Sequence, residues 1–466
     1  MSPVDGPKRN ARANRGGTAA VGPSAVAEQR IGGVTDARVA AALMLADIRQ
    51  GDLLDSTFER RTQALDARDR RWLHELMWGM LRRRGWIDAV LAERVRGGLA
   101  KLDADVVDLL RVGTYQLLSM GSVPAYAAIA QTVEVTKRRD GIGASKLVNA
   151  VLRRVDRERD ALEPSASADP IDALAQRHSH PRWVVQRWVE RWGLEQVEQL
   201  LIANNQASSI TVRPFGLVRE QLDAMLGGAG IETSEVPLVK DSIRLGPGVA
   251  LTELGAFKQG LLYVQDPAAT LVTQYADVAA GSVVADLCAA PGGKALELSR
   301  RAKIVFAADR SHSRVERMLL GFGRLDARNL HSVVADAEAP AMSPVDAVLI
   351  DVPCTGTGTF RRHPDARWRL RVSDFAVMGA TQRTILRAAA SIVKPGGLLI
   401  YSTCSLELEE NDEPVDAFLA SHPEFTLEAP AEGTVPDSVL DRGRLRVLPH
   451  VHGCDGAFAA RLRRAA

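Results

Sequence analysis

SVVADLCAAPGGK, residues 282–294, joins a short apolar run to a turn of small residues and two glycines. Val283 to Leu287 has the length and bounding turn signals of a buried strand, and a helical pattern follows Lys294. Small residues at a strand-to-helix turn let the backbone come close to a ligand. The turn has neither GxGxxG spacing nor GxxxxGK[ST], which disfavours a dinucleotide and a P-loop triphosphate. Further apolar runs follow at Lys303 to Ala308, His331 to Ala335, Val345 to Ile350 and Gly397 to Ser402, with helical stretches between them. That alternation predicts a doubly wound, Rossmann-like α/β domain with a largely parallel sheet over residues 263–466.

Three of these runs lead to acids: Asp309, Asp336 and Asp351. In such sheets ligands bind outside the carboxyl ends of the strands. Asp309 is placed to accept from ribose hydroxyls, and Asp336 to reach an adenine amino group. Capping of the following helix is the competing reading for any one of these acids. Two cysteines also stand at strand ends, Cys354 in DVPCTGTG (351–358) and Cys404 in YSTCS (401–405). Free cysteines are usually core residues, but polar strand-end loops are the wrong place for a core thiol.

The N-terminal half reads differently. Residues 1–33 are rich in Gly, Ala, Pro and Arg and predict a disordered basic tail, with Lys8, Arg9, Arg12 and Arg15 able to meet phosphates. Residues 34–160 carry helical periodicity with almost no strand signal: Val39, Leu43 and Ala46 after Thr35 and Asp36; Trp72, Leu76 and Met80; Leu109, Leu110, Leu117 and Leu118; Leu147 to Val155. An all-α bundle of about five to seven helices is expected there. The run Arg82, Arg83, Arg84 beside Trp86 is either a solvated face or an RNA contact. Residues 161–178 read as a linker and 179–262 as a small α+β module, in which Trp183, Trp188 and Trp192 fit a core better than a stacking platform.

Composition bounds the partners. With 59 basic and 57 acidic residues in 466 the net charge is +2, so an RNA surface must come from local clustering. The four cysteines form no CxxC or CxxH pair, which argues against a zinc site and against a disulfide framework. No run reaches the ~18 apolar residues of a membrane span. These features predict a cytoplasmic protein without metal or membrane attachment; a monomer is expected, though no feature of the sequence gives the oligomeric state.

Two thiols beside an acid suit one chemistry in particular. Carbon 5 of cytosine is a poor nucleophile, and a thiolate added to carbon 6 makes it enamine-like. Charge then develops at ring nitrogen 3, where Asp351 is placed to provide a hydrogen bond. The proton on carbon 5 must afterwards leave, a step that a second cysteine can assist.

The motifs VQDPAA (264–269), DLCAAPGGK (286–294), DVPCTGTG, RRHPD (361–365), KPGG with YSTCS (394–405), EEN (409–411) and DGAFAA (455–460) occur in one order along the C-terminal domain. On these the chain resembles the ribosomal RNA cytosine-5 methyltransferases of the RsmB/Sun (Fmu) type, relatives of the NOL/NSUN enzymes. The resemblance implies Cys404 as nucleophile and Cys354 as the product-release cysteine. It implies S-adenosylmethionine on Cys288, Ala289, Ala290, Pro291, Gly292, Gly293, Lys294, Asp309, Asp336 and Asp351. VPAYAAIAQTVEVTK (123–137) and KLVNAVLRRV (146–155) resemble the NusB antitermination fold, and NNQASSITVRPF (204–215) the family's RNA-binding insert. RNA, most of all 16S ribosomal RNA, is then the implied partner, with the helical domain supplying affinity and no chemistry. Ala295, Val352 and Thr355 depart from the usual Thr, Ala and Ser. Two alternatives stand beside this reading. One is a cytosine-5 methyltransferase acting on tRNA or DNA, where a DNA-type enzyme would attack through Cys354. The other is a non-catalytic RNA-binding or antitermination factor.

Overall fold

The computed structural model describes residues 35–165 and 167–466, so the basic-tail expectation for residues 1–33 lies outside the described residues. The first domain is five helices: α1 (Asp36–Arg49), α2 (Leu54–Arg61), α3 (Ala67–Ala92), α4 (Ala104–Ser119) and α5 (Ala125–Arg157). Asp66 caps α3 by accepting from the N–H of Asp69 at 2.8 Å. The faces predicted for α3, α4 and α5 meet in one core with Leu76, Met80, Leu110, Val148 and Leu152; α1 instead enters it through Ala41, Met44 and Leu45, leaving the predicted Val39, Leu43 and Ala46 half-buried.

The expected linker is partly folded. Asp169 accepts from the N–H groups of Ile171 and Asp172 and starts α6 (Pro170–Arg177), with Pro170 in the first turn where its missing N–H costs nothing. Helix α7 (Arg182–Asn205) follows. Its Val184, Val185 and Trp188 pack against Phe360 and Leu406, so α6 and α7 bury their apolar sides on the C-terminal domain. Trp188 is fully buried, as a core tryptophan.

The small module is an antiparallel sheet of β1 (Thr211–Pro214), β2 (Thr233–Glu235), β3 (Ile243–Leu245) and β4 (Leu262–Val264), in the order β2-β3-β1-β4. Helix α8 (Arg219–Gly228) covers it through Leu222 and Leu226. Strand β4 crosses the boundary expected between residues 262 and 263, because Leu262, Tyr263 and Val264 all pair with β1. Arg213 ties the module to the next domain through a two-pronged pair with Glu297, at 2.7 and 2.8 Å.

The C-terminal sheet has nine strands: β5 (Val283–Asp286), β6 (Ile304–Asp309), β7 (Leu330–Val334), β8 (Val345–Asp351), β9 (Val393–Thr403), β10 (Phe425–Leu427), β11 (Leu440–Asp441), β12 (Arg444–Val447) and β13 (Ala457–Arg464). The order β7-β6-β5-β8-β9 is parallel, as the alternating pattern predicts. Beyond β9 the sheet turns antiparallel through β13, with β12, β11 and β10 following from it. "Largely parallel" therefore holds for the strands that carry the predicted site and fails for the last four, all of which pair antiparallel.

Candidate active site

The parallel strands put their carboxyl ends on one rim, and the predicted residues come together there. At the end of β5, Asp286 is fully buried and neither carboxylate oxygen has a hydrogen-bond partner. Burial pushes its carboxyl up to about 7, and the charge of Asp351 adds to the shift. The loop 288–294 follows. Ala289 donates its N–H to Ala308 at 2.8 Å, which fastens the loop to β6, and the Ala290–Pro291 peptide is cis. Gly292 has φ +104°, and a Cβ there would lie 2.7 Å from Phe322 and 2.9 Å from Met318, so only glycine fits. Burial and then Asp286 push the Cys288 thiol well up, leaving it neutral.

Asp309 is buried at the end of β6. It accepts from the N–H of Ser311 at 2.9 Å and faces Arg314 at 3.3 Å. Arg314 also donates to the carbonyl of Ala290 at 2.7 Å and so braces both predicted segments. Asp336 lies two residues past β7, is exposed, and accepts from Glu338 N–H at 2.9 Å. Both bonds are local turn contacts and neither acid caps a helix: the helix after β6 starts at His312 with Ser311 as its N-cap residue, and no helix separates Asp336 from β8. Asp336 stands on the rim of an apolar cavity of 510 Å³ that includes Leu287, Phe306, Ala308, Val333 and Met342 and does not reach the cysteines.

The lysine of the loop turns elsewhere. Lys294 Nζ donates to Asp351 Oδ2 at 2.6 Å, and Ser402 Oγ donates to Asp351 Oδ1 at 2.7 Å. Burial works against the Lys294 charge, but Asp351 outweighs it and the ammonium is held above its ordinary range. Lys294 and Asp351 both line a pocket of 50 Å³ with Cys404. Lys294 therefore belongs structurally with the thiol pocket, although its motif suggested the cofactor loop.

The cysteines meet. Cys354 follows β8 and Cys404 follows β9, adjacent parallel strands paired in register up to Asp351 and Ser402. Their sulfurs are 3.2 Å apart. The Cys354 thiol is pushed well up, first by sharing its proton with Cys404 and then by burial. Gly358 packs so closely on the neighbouring loops that a Cβ would fall 2.7 Å from the Cys404 carbonyl and 2.7 Å from Gly456.

Several residues of this site carried no clear local signal. Glu410 and Asn411, inside EEN, bind both cysteine loops: Glu410 accepts from Thr355 N–H at 2.8 Å, and Asn411 donates to the Ser405 carbonyl at 2.9 Å. Asp266, Arg362 and Asp455 stand in the wall of the pocket with Cys404. They lie in three of the motifs quoted above, and that recurrence was the available signal. The Arg82–Arg84 run is split, with Arg83 exposed and lying over Trp86. Arg82 and Arg84 are turned into the contact with the C-terminal domain, Arg82 donating to the Arg361 carbonyl and Arg84 lying over Trp368.

Comparison with known proteins agrees with this layout. Residues 274–463 match the family described as 16S rRNA methyltransferase RsmB/F, residues 35–157 the NusB family, and residues 180–252 the ferredoxin-like domain of RsmF/B-like methyltransferases. The probable ribosomal RNA small subunit methyltransferase B of Synechocystis sp. is 33% identical over 445 residues, 92% of this chain and 99% of that protein. Its counterpart in Bacillus subtilis is 33% identical over 423 residues, 87% of this chain and 92% of that protein. The crystal structure of PH0851 superposes with a TM-score of 0.77 over 92% of this chain and 98% of that one, at 26% identity.

Proposed function

The chain belongs to the ribosomal RNA small subunit methyltransferase B family, and from that premise we propose that it methylates carbon 5 of a cytosine in 16S ribosomal RNA through a covalent bond to Cys404. It is an S-adenosylmethionine-dependent RNA methyltransferase with a NusB-like helical domain. The observation that carries the finer reading is the pair of sulfurs 3.2 Å apart at two strand ends, beside the Lys294–Asp351 pair.

The residues present fit the cofactor. Asp286 offers a fully buried carboxyl group without a side-chain hydrogen-bond donor on either oxygen, a place for the positive end of the cofactor. Asp309 offers a buried acceptor for a ribose, and Asp336 a polar group at the rim of an apolar cavity. S-adenosylmethionine, when bound, supplies an electrophilic methyl group on its sulfonium. In this reading Cys288 to Gly293, Asp286, Asp309 and Asp336 hold it.

The steps then follow from the side chains. The Cys404 thiolate forms a bond to carbon 6, and ring electrons move toward carbon 5 and nitrogen 3. Asp351 already accepts from Lys294 and Ser402, so the pair acts at nitrogen 3 as a unit, with Lys294 carrying the proton. Carbon 5, made enamine-like by the Cys404 adduct, would be the atom that accepts the methyl group supplied by a cofactor held on the residues above, the bonding electrons remaining with the cofactor. Cys354, once it has given its own proton to solvent, removes the carbon 5 proton as a thiolate, and the carbon 6–sulfur bond breaks to return the Cys404 thiolate. Bisulfite sequencing of 16S ribosomal RNA incubated with enzyme and S-adenosylmethionine tests the reading. One protected cytosine is expected; methyl transfer without any protected cytosine would refute carbon 5.

A further inference from the structure

The eight residues Arg361 to Trp368 face two ways. Toward the helical domain, the carbonyl of Arg362 accepts from Trp78 Nε1 at 2.9 Å and that of Arg361 accepts from Arg82 at 2.9 Å. Trp368 Nε1 donates to the Leu81 carbonyl at 2.9 Å, and His363 meets Asp55 at 2.8 Å. Toward the rim, Arg362 enters the pocket wall and pairs with Asp455, and just before the segment Gly358 donates its N–H to the Cys404 carbonyl at 3.0 Å. One short segment thus joins α3 to the cysteine pocket.

We propose that Arg362 is a positioning residue for the Cys404 thiolate and that Trp78 of the helical domain sets it in place. The inference rests on the reading of Cys404 as nucleophile, and it makes the helical domain part of the catalytic centre as well as an RNA-binding element. The charges around Cys404 explain why. Lys294 and Asp351 largely neutralise each other. Asp266 and Asp455 add two carboxyl groups, Cys354 lies against the sulfur, and Glu410 stands behind Cys354. Arg362 is the cation set against the two carboxyl groups, and its guanidinium also feels a charge on Cys404. Arg361 also faces Asp455, at 3.8 Å, but is not in the pocket wall, so without Arg362 an ionised Cys404 would face Asp266 and a less compensated Asp455, which disfavours the thiolate. Trp78 acts one step back: its indole N–H fixes the backbone from which Arg362 reaches the pocket.

The test uses full-length protein and no RNA. Alkylation of Cys404 by iodoacetamide is followed against pH through the mass of the Cys404 peptide. In R362M the midpoint moves to higher pH, and alkylation at neutral pH slows by about tenfold for every pH unit that the midpoint moves. R362K restores most of the profile, and W78F, which removes the indole donor together with part of its buried ring, moves the midpoint the same way by a smaller amount. R362Q repeats the first arm should R362M not fold. A wild-type profile in R362M or R362Q overturns the role of Arg362, and a wild-type profile in W78F overturns that of the helical domain. Transfer of methyl groups to another atom of RNA would refute the proposed function and leave these profiles standing, so the two failures are distinguishable.

Discussion

Glu410 accepts the backbone N–H of Thr355 at 2.8 Å and so ties the loop after Cys354 to the segment after Cys404. The same carboxylate accepts from the hydroxyls of Thr355 and Ser405 and from Gln382 Nε2. It is fully buried, and burial pushes its carboxyl up despite those donors. The distance between the two sulfurs is therefore maintained by a residue that touches neither.

Replacing that residue tests the brace. Glu410→Gln keeps the size but turns an amide N–H₂ toward groups that themselves donate. A loss of about 1–3 kcal/mol in urea denaturation is expected, together with a drop in methyl transfer. A wild-type unfolding midpoint would show that the loops hold without Glu410.

The two cysteines separate on one denaturing gel with target RNA and S-adenosylmethionine. Cys404→Ala is expected to abolish methyl transfer and leave no protein–RNA adduct. Cys354→Ala is expected to attack and methylate but to stall at elimination, so adduct accumulates. Adduct in the Cys404 variant with none in the Cys354 variant would assign attack to Cys354, as in a DNA-type enzyme.

Asp309 is expected to hold the ribose. Asp309→Ala removes that acceptor and should weaken S-adenosylmethionine binding by about 1–3 kcal/mol in calorimetry. Because Asp309 also accepts from Ser311 and faces Arg314, a thermal melt of the variant serves as control. Unchanged affinity would remove Asp309 from the cofactor site.

Asp286 links pH to stability. Its carboxyl stands at about 7 when folded, against an ordinary value of 3.8. The unfolded chain loses that proton first, so the contribution of Asp286 to stability falls as pH rises from about 4 through about 7 and then levels off. Asp286→Asn is free of this cost. The stability of the variant relative to the native protein should therefore grow by roughly 2–3 kcal/mol between pH 5 and pH 8.5 without cofactor. The same change should weaken S-adenosylmethionine binding, since the carboxylate kept for its cation is gone. Urea denaturation at the two pH values checks the first claim, and a gap that does not vary with pH would contradict it.

Local pattern by itself determined the helical first domain, the five parallel strands, the loop 288–294 and the placing of Asp309, Asp351, Cys354 and Cys404 at strand ends. Periodicity, turn residues and strand length are properties of a few consecutive residues, so they are legible without knowing what packs on what. The last four strands were not, because a short antiparallel strand is defined by the partner it finds across the sheet. Nor was the fate of Arg82 and Arg84, which a solvated helix and a domain contact present identically in sequence; Arg361 and Trp368, which receive them, lie far along the chain. Lys294 with Asp351, Cys354 with Cys404, Glu410 with Thr355 and Arg362 with Asp455 are likewise meetings of residues brought together only by folding. Charge, burial and proton affinity at this rim come from those meetings, because the cost of a buried charge depends on which groups surround it and not on its neighbours along the chain.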